Sequence, residues 1–431
     1  MVESPRRGSL LVIFLTVFID LLGFGMVLPL LPIYGKQFDA SFATLGLLMA
    51  SFSAMQFLFA PLWGRLSDRI GRRPVLLLGL AGSVVFYTLF GVATVYESLA
   101  GLFIARIGAG IAGATISTAQ AYIADTTTLE NRAKGMALIG AAFGLGFTFG
   151  PLLGALALGK DLERPGPGPG YLAAALSAGA FLLAMFKLPE SLDRSVARKA
   201  KHWLDVPAFM QAMRTPSIGP LLVAFFICIL SFANFETTLS LLLKGEQIGA
   251  PFHFNLEEVG WTFAYIGITL TFAQGVLVRR MAGRVSEGRL ASAGALLDMA
   301  GFLMLLHAIA SANSSLVSNP DEPPSPAELL VALAVIVVGF AFMMPSLNSL
   351  ISRRSDPAQQ GGILGVTQSV SSLARILGPM LGIPLFGKGI NLPYWLATGL
   401  MAIGLGLIIV AARGGRDYGT ADLAQPVDLE L

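Results

Sequence analysis

Long apolar runs recur along this chain, and no other feature constrains its fold as strongly. Twelve are found, centred near residues 21, 53, 84, 111, 146, 179, 229, 268, 300, 338, 373 and 401. A helix needs about 20 apolar residues to cross the hydrocarbon of a bilayer. Every backbone polar group in that layer must be satisfied internally, which leaves helical bundles and closed β-barrels as the spanning structures. Barrel strands read as alternating segments of about ten residues, and that pattern is absent here. Composition agrees: 13% of the 431 residues are charged and mean hydropathy is +0.72, against about 25% charged residues in a soluble domain. The sequence predicts an all-α integral membrane protein with 12 transmembrane helices.

The first run, from Leu10 to about Tyr34, follows Arg6 and Arg7. It is longer than the roughly 7–15-residue core of a signal peptide and lacks a small-residue cleavage site, so it is read as the first span. Lys and Arg set orientation, because they accumulate on cytoplasmic loops. With both termini inside, 22 of the 29 fall on inside segments and five on outside loops (Lys36, Lys160, Arg164, Lys244, Lys388). The remaining two, Arg106 and Arg375, lie within spans. A basic polar stretch at 189–216 is expected to link six-helix bundles at 1–188 and 217–412, with a polar cytoplasmic tail at 413–431.

Several function classes are excluded. The single cysteine, Cys228, rules out an internal disulfide and a cysteine metal site, and His202, His253 and His307 show no ligand spacing. No cofactor or metal is therefore expected. A net charge of +3 gives no reason to expect a nucleic-acid partner. No phosphate-binding G-x-x-x-x-G-K-[ST] loop is present, so uphill transport would have to draw on an ion gradient.

The halves carry a duplication. Gly146, Gly150, Pro151 and Gly154 in the fifth span match Ala374, Gly378, Pro379 and Gly382 in the eleventh at a constant offset of 228. Small residues at i, i+4 and i+8 line one helix face and admit close helix approach. The stretch GRLSDR at 64–69 is echoed by GVLVRR at 275–280, with Arg279 in place of Asp68. Around the first copy, Gly64 is expected to let its helix lie close to a neighbour, and Gly71 to take φ > 0 in a tight turn. Asp68 is placed to accept from a helix N-terminus of the other half or to pair with a nearby arginine. Arg69, Arg72 and Arg73 fit either that network or simple positive-inside anchoring.

Charges inside spans are costly and mark function by default. Asp20 lies halfway along the first span; desolvation disfavours its charged form, which makes it a candidate to carry a proton or pair with a cationic substrate. Arg106 shares a face of the fourth span with Gly110, Gly113, Ser117 and Gln120. It keeps its charge, so its role would be to hold an acid. Glu236 in the seventh span and Asp298 in the ninth are candidates for a second proton site or a cation contact. Arg375 is a candidate to balance an acid, and Gln120 and Gln274 to hydrogen-bond a substrate. For each of these a purely structural role stays open.

These residues carry a family resemblance. GRLSDRIGRRP at 64–74 resembles the loop 2–3 signature of the major facilitator superfamily, and ARIGAG at 105–110 its fourth-helix arginine motif. GLGFTFGPLLGA at 144–155 resembles the antiporter motif of its proton-coupled drug exporters. FIDLLGFGMVLPLLP at 18–32, and IADTT followed by ENRAKG, are similar to the tetracycline-efflux branch. The resemblance implies two pseudo-symmetric six-helix bundles and alternating access. It also implies a latch on the cytoplasmic side that includes Gly64, Asp68, Arg69, Gly71, Arg72 and Arg73, joined by Asp125 and Arg132. Asp298 matches an acidic position of the tetracycline pumps. The chain departs from those pumps at Phe86, where they carry an acid, and at Leu270, where they carry a histidine.

The expected function is secondary active transport: proton-coupled antiport exporting a small amphipathic drug-like compound, by a monomer in contact with membrane lipid, in a bacterial inner (plasma) membrane. A symporter or facilitator for a nutrient or metabolite on the same fold is the alternative. A non-transporting membrane receptor or scaffold is a rival of another class. An enzyme is not expected, because the spans hold no nucleophile–base set or pair of metal ligands.

Overall fold

A computed structural model describes residues 7–127, 129–158, 165–192, 210, 212–245, 249–281, 283–318, 324–355 and 360–415. Among them the chain is all-α. In the first half the helices are α1 (Arg7–Val27), α2 (Leu31–Gln37), α3 (Phe42–Ile70), α4 (Arg72–Val95), α5 (Leu99–Gly113), α6 (Ile116–Thr126), α7 (Leu129–Ala157) and α8 (Gly168–Lys187). In the second they are α9 (Gly219–Lys244), α10 (Leu256–Phe272), α11 (Glu287–Ser318), α12 (Ala327–Arg353), α13 (Gln360–Lys388) and α14 (Leu392–Gly414). α1 with α2, and α5 with α6, are broken helices that each make one span. Among the described residues eleven segments are long and apolar enough to cross a membrane, and α7, with its apolar stretch Gly144–Ala157, makes the set consistent with twelve. α14 runs to Gly414, two residues past the boundary read from the sequence. Most of the expected linker and tail, 193–209 and 416–431, lies outside the described residues.

Glycine sets the helix spacing. Hydrocarbon offers helices no hydrophobic reason to associate, so close backbone packing has to hold them. α7 lies on α1 through Gly146, Gly150 and Gly154: a Cβ at Gly150 would sit 2.7 Å from the Gly25 carbonyl carbon, and one at Gly154 2.9 Å from the Met26 oxygen. The second half repeats this. A Cβ at Gly378 would sit 2.7 Å from the Ala233 methyl, and Gly382 abuts Asn234, so α13 lies on α9 as α7 lies on α1. The motif matched at an offset of 228 therefore does the same packing job twice.

The two halves touch along α3 with α13 and along α7 with α10. These contacts concentrate at one end. There Gly46 faces the Pro379 carbonyl, Gly387 faces the Phe42 ring and Gly260 faces Ala155. Nearby, the Thr148 hydroxyl donates to the Gly267 carbonyl at 3.0 Å and meets Thr271 Oγ1 at 2.8 Å. The opposite end carries the 64–73 stretch and is here named the basic end. Toward it, a Cβ on Gly275 or Gly365 would meet nothing within 4 Å, while one on Gly144 would lie 3.6 Å from Gln274 Oε1 of the second half. The apolar core follows the same division. One cluster runs from the far end of the first half, through residues such as Met26, Tyr34 and Phe90, into the whole second half. A separate cluster around Ile13, Leu76, Tyr122 and Ala184 fills the basic end of the first half alone.

Two local readings need correction. A Cβ on Gly64 would meet only the Ser117 hydroxyl, at 3.9 Å, so that glycine is not required for close packing. The echo at 275–280 is not a second copy of the same helix: Ala273–Val278 forms a π-helix where the first half continues as α-helix to Ile70. A π turn inserts one residue into the ladder and weakens it locally, so the sequence likeness hides a difference in backbone.

Gly150→Ala is expected to lower the unfolding temperature of the detergent-solubilised protein, since overpacking costs about 1–3 kcal/mol. Gly399→Ala, where a Cβ meets nothing within 4 Å, is expected to leave it unchanged or slightly raised. Thermal unfolding of the two variants side by side checks this.

Candidate functional site

Phe147 and Arg375 are related by the offset of 228, and they touch: the Arg375 guanidinium carbon lies 5.7 Å from the Phe147 ring centroid. Residues that contact their own equivalents straddle the axis relating the halves. A cavity opens at that point. The first half lines it with Asp20 and Phe24 from α1, Phe52, Ser53 and Gln56 from α3, Ser83 and Tyr87 from α4, and Phe147 from α7. The second half contributes Gln368, Ser372 and Arg375, all from α13.

Each wall carries one charge. On the first-half wall, Ser83 hydrogen-bonds the Asp20 carboxyl, while Asp20 Oδ1 is buried without a partner. Tyr87 stands in the field of both Asp20 and Arg106. Arg106 is 1% exposed and does not line the cavity. Its guanidinium stacks 4.6 Å from the Phe52 centroid and 5.7 Å from that of Phe24, two rings that do line it. Its face of small residues packs on α3: a Cβ at Gly110 would strike the Phe52 carbonyl, and Ser117 donates to the Ala60 carbonyl at 3.0 Å. A cation fixed behind two aromatic faces holds positive potential at the cavity wall without offering a hydrogen bond into it.

On the second-half wall, Arg375 Nη1 lies 3.7 Å from Glu236 Oε2, with side chains 33% and 18% exposed. That separation is an ion pair but not a hydrogen bond. Glu236 sits on α9 and does not line the cavity. Asp298 is placed elsewhere. It is fully buried between α11 and α12, with the Phe340 amide facing its carboxylate and room supplied by Gly339. It is thus separate from the cavity, as are Gln120 and Gln274. Gln274 lies in the π segment, its Oε1 facing Gly144 of α7.

The basic end of the first half is a second constellation. Gly71 has φ 113° and joins α3 to α4, as its expected turn requires. Arg72 is 3% exposed. It pairs with Asp68 at 2.6 Å and with Asp125 at 3.1 Å. Of the two partners the sequence offered Asp68, the structure describes the arginine of its own half. Glu190 accepts the backbone N–H groups of Arg72 at 2.8 Å and of Arg73 at 3.2 Å, and so caps the free amides and positive dipole end of α4. Arg73 donates to the Met185 carbonyl at 2.5 Å, and Arg69 is exposed on the last turn of α3. The Arg132 side chain lies outside the described residues. The second half carries a related bracket of reversed sign: Glu287 opens α11 and pairs with Arg353, the offset equivalent of Asp125, at 2.7 Å.

The sequence missed Glu190, which reads as linker because PES follows the last apolar run. It also missed Ser83, Tyr87, Gln56, Gln368 and Ser372, which are polar residues inside spans and were legible as such. Phe147 was available too, as the offset partner of Arg375.

The family model of the Major Facilitator Superfamily matches residues 13–379. The chain belongs to this superfamily. It is similar to the tetracycline resistance protein, class E, of Escherichia coli, at 33% identity over 85% of this chain and 84% of that one. It is also similar to multidrug resistance protein 2 of Bacillus subtilis (strain 168), at 27% identity over 94% and 96% of the two chains. Among solved structures, the human organic anion transporter MFSD10 (TETRAN) superposes with a TM-score of 0.69 at 28% identity, over 94% of this chain and all of that one. The protein is thus a multi-pass membrane transporter of this superfamily and not an enzyme, and its relatives include several tetracycline resistance proteins.

Asp125→Asn is expected to cost about 1–3 kcal/mol, because it weakens a charge-assisted bond to a buried arginine. Glu287→Gln breaks a pair whose arginine side chain is 52% exposed, and is expected to cost under about 1 kcal/mol. Denaturation midpoints of the two variants measure the difference.

Proposed function

We propose that this transporter exports a small amphipathic compound in exchange for protons, as a monomer with one central cavity. The observation that carries the reading is Asp20. It is a carboxyl within the first span, lining the cavity on the axis between the halves, with one buried oxygen that has no partner. An acid so placed can hold a proton or a cationic group of a substrate, but not both, and that competition is the basis of exchange. The form of the molecule supports alternating access. The halves touch along α3 with α13 and α7 with α10, and rocking about the axis between them would expose the cavity to each side in turn. By the distribution of Lys and Arg the basic end faces the cytoplasm of a bacterial inner membrane.

The energetics suffice. One proton crossing about 150 mV releases roughly 3.5 kcal/mol, at 2.3 kcal/mol per 100 mV, and at 1.4 kcal/mol per tenfold that supports a gradient of about 300-fold. The tetracycline and multidrug resistance relatives, and the organic anion transporter among the structural neighbours, agree with export of amphipathic molecules. Phe86, packed against Gly108, and Leu270 stand where the tetracycline pumps carry titratable groups, so tetracycline itself is not the compound proposed.

In sealed proteoliposomes with an imposed pH gradient, amphipathic compounds are expected to drive proton movement opposite to their own flux. Asp20→Asn is expected to abolish the proton movement while leaving downhill substrate counterflow. Flux unchanged by collapse of the gradient would overturn the coupling. Proton movement in the same direction as substrate would make the protein a symporter.

A further inference from the structure

The second half exposes two bare arginines at one level. On α11 an exposed stripe runs through Arg289, Ala293, Leu296, Leu303 and His307. On α14 another runs from Trp395 through Ile403 and Val410 to Arg413. Eighteen residues separate the ends of each stripe. That is about 27 Å at 1.5 Å per residue, close to the roughly 30 Å of hydrocarbon in a bilayer. Polar or interfacial side chains thus stand at both ends of each stripe, and apolar ones between them face lipid. The two helices pack on each other, and a Cβ on Gly288 would sit 2.7 Å from the Ala412 methyl. Arg289 and Arg413 are the next residues along. They flank one end of the same groove, at headgroup depth.

Among the described residues neither guanidinium has an ion pair or a hydrogen bond. Glu287, two residues before Arg289, is taken by Arg353. The last carbonyls of α14, on Ala411 and Ala412, accept from Arg354, so the negative dipole end that would attract Arg413 is already served. The first half closes the corresponding place with its own groups. Met185 is the offset equivalent of Arg413, and its carbonyl accepts from Arg73. Glu190 lies over the first amides of α4. One half fills this corner with an arginine and an acid, and the other leaves two cations beside lipid.

We propose that the groove between α11 and α14 binds an anionic phospholipid, its phosphate between Arg289 and Arg413 and its acyl chains along the two apolar stripes. The planar guanidinium fork suits a phosphate, and each arginine near the membrane surface adds attraction for anionic lipid. Both helices belong to one half, so the lipid travels with that half and its binding is independent of the central cavity.

The test is lipid binding to the full-length transporter in detergent, read by native mass spectrometry, with phosphatidylglycerol and phosphatidylcholine of identical acyl chains. Wild type is expected to hold one phosphatidylglycerol about 25-fold more tightly than phosphatidylcholine, about fivefold for each arginine. Arg289→Gln and Arg413→Gln should each remove one fivefold step, and the double variant should bind the two lipids alike. Lys187→Gln combined with Arg214→Gln removes two other exposed charges from the basic end and should leave the preference intact. Equal binding of both lipids by wild type would overturn the proposal. So would equal losses in the two double variants, which would show diffuse attraction to the positive end. Displacement of the lipid by millimolar inorganic phosphate would also overturn it, by showing a site for free phosphate. Unchanged thermal unfolding in phosphatidylcholine shows that the variants are folded, and the wild-type comparison stands without them.

Discussion

The contact of backbone on backbone between α7 and α1, repeated between α13 and α9, is the constraint on which the rest of this structure depends. Lipid removes the hydrophobic incentive for helices to associate, so what remains is packing at close range. Glycine at 146, 150 and 154, and at 378 and 382, permits it. Each contact fixes a pair of helices as a rigid unit. α7 also touches α10, and α13 touches α3, so the same two helices that lock each half internally carry the surface between the halves. Packing within a half and contact between halves are thereby tied to the same helices.

Much of this was written in the sequence, at the level of pattern. The apolar runs gave the spans, and a constant offset gave the duplication, because each copy must keep the same spacing of small residues to pack on the first helix of its own half. Gly71 was readable because a turn with φ 113° selects glycine. Membrane charges identified Asp20 and Arg375, since apolar surroundings make any charge conspicuous. What was not legible is which charges meet. Asp298 and Glu236 look alike as lone acids in apolar runs. One lies beside an arginine at the cavity and the other is sealed between α11 and α12, a distinction that depends on helix rotation. Glu190 was invisible for a different reason: a cap contributed from over a hundred residues away has no local signature.

The halves share a frame but not an electrostatic plan. In the first, a buried arginine opens α4 and is held by Asp68 and Asp125. In the second, an acid opens α11 and is held by an exposed arginine. A helix start favours the acid, so the first half works against its own helix dipole at Arg72 and compensates with Glu190. The backbones diverge at the matching place as well, with a π-helix at Ala273–Val278. The basic end is therefore where the two bundles differ most.

The contact between Phe147 and Arg375 has a consequence for ancestry. In a dimer of two identical six-helix chains, a position on the axis is occupied twice by the same residue. Such an assembly can place two arginines there, which repel, or two phenylalanines, which carry no charge. A single cation facing a ring is available only once the two copies are free to differ. Divergence of the copies is thus the precondition for a centre that has a direction: one wall aromatic, the other positive.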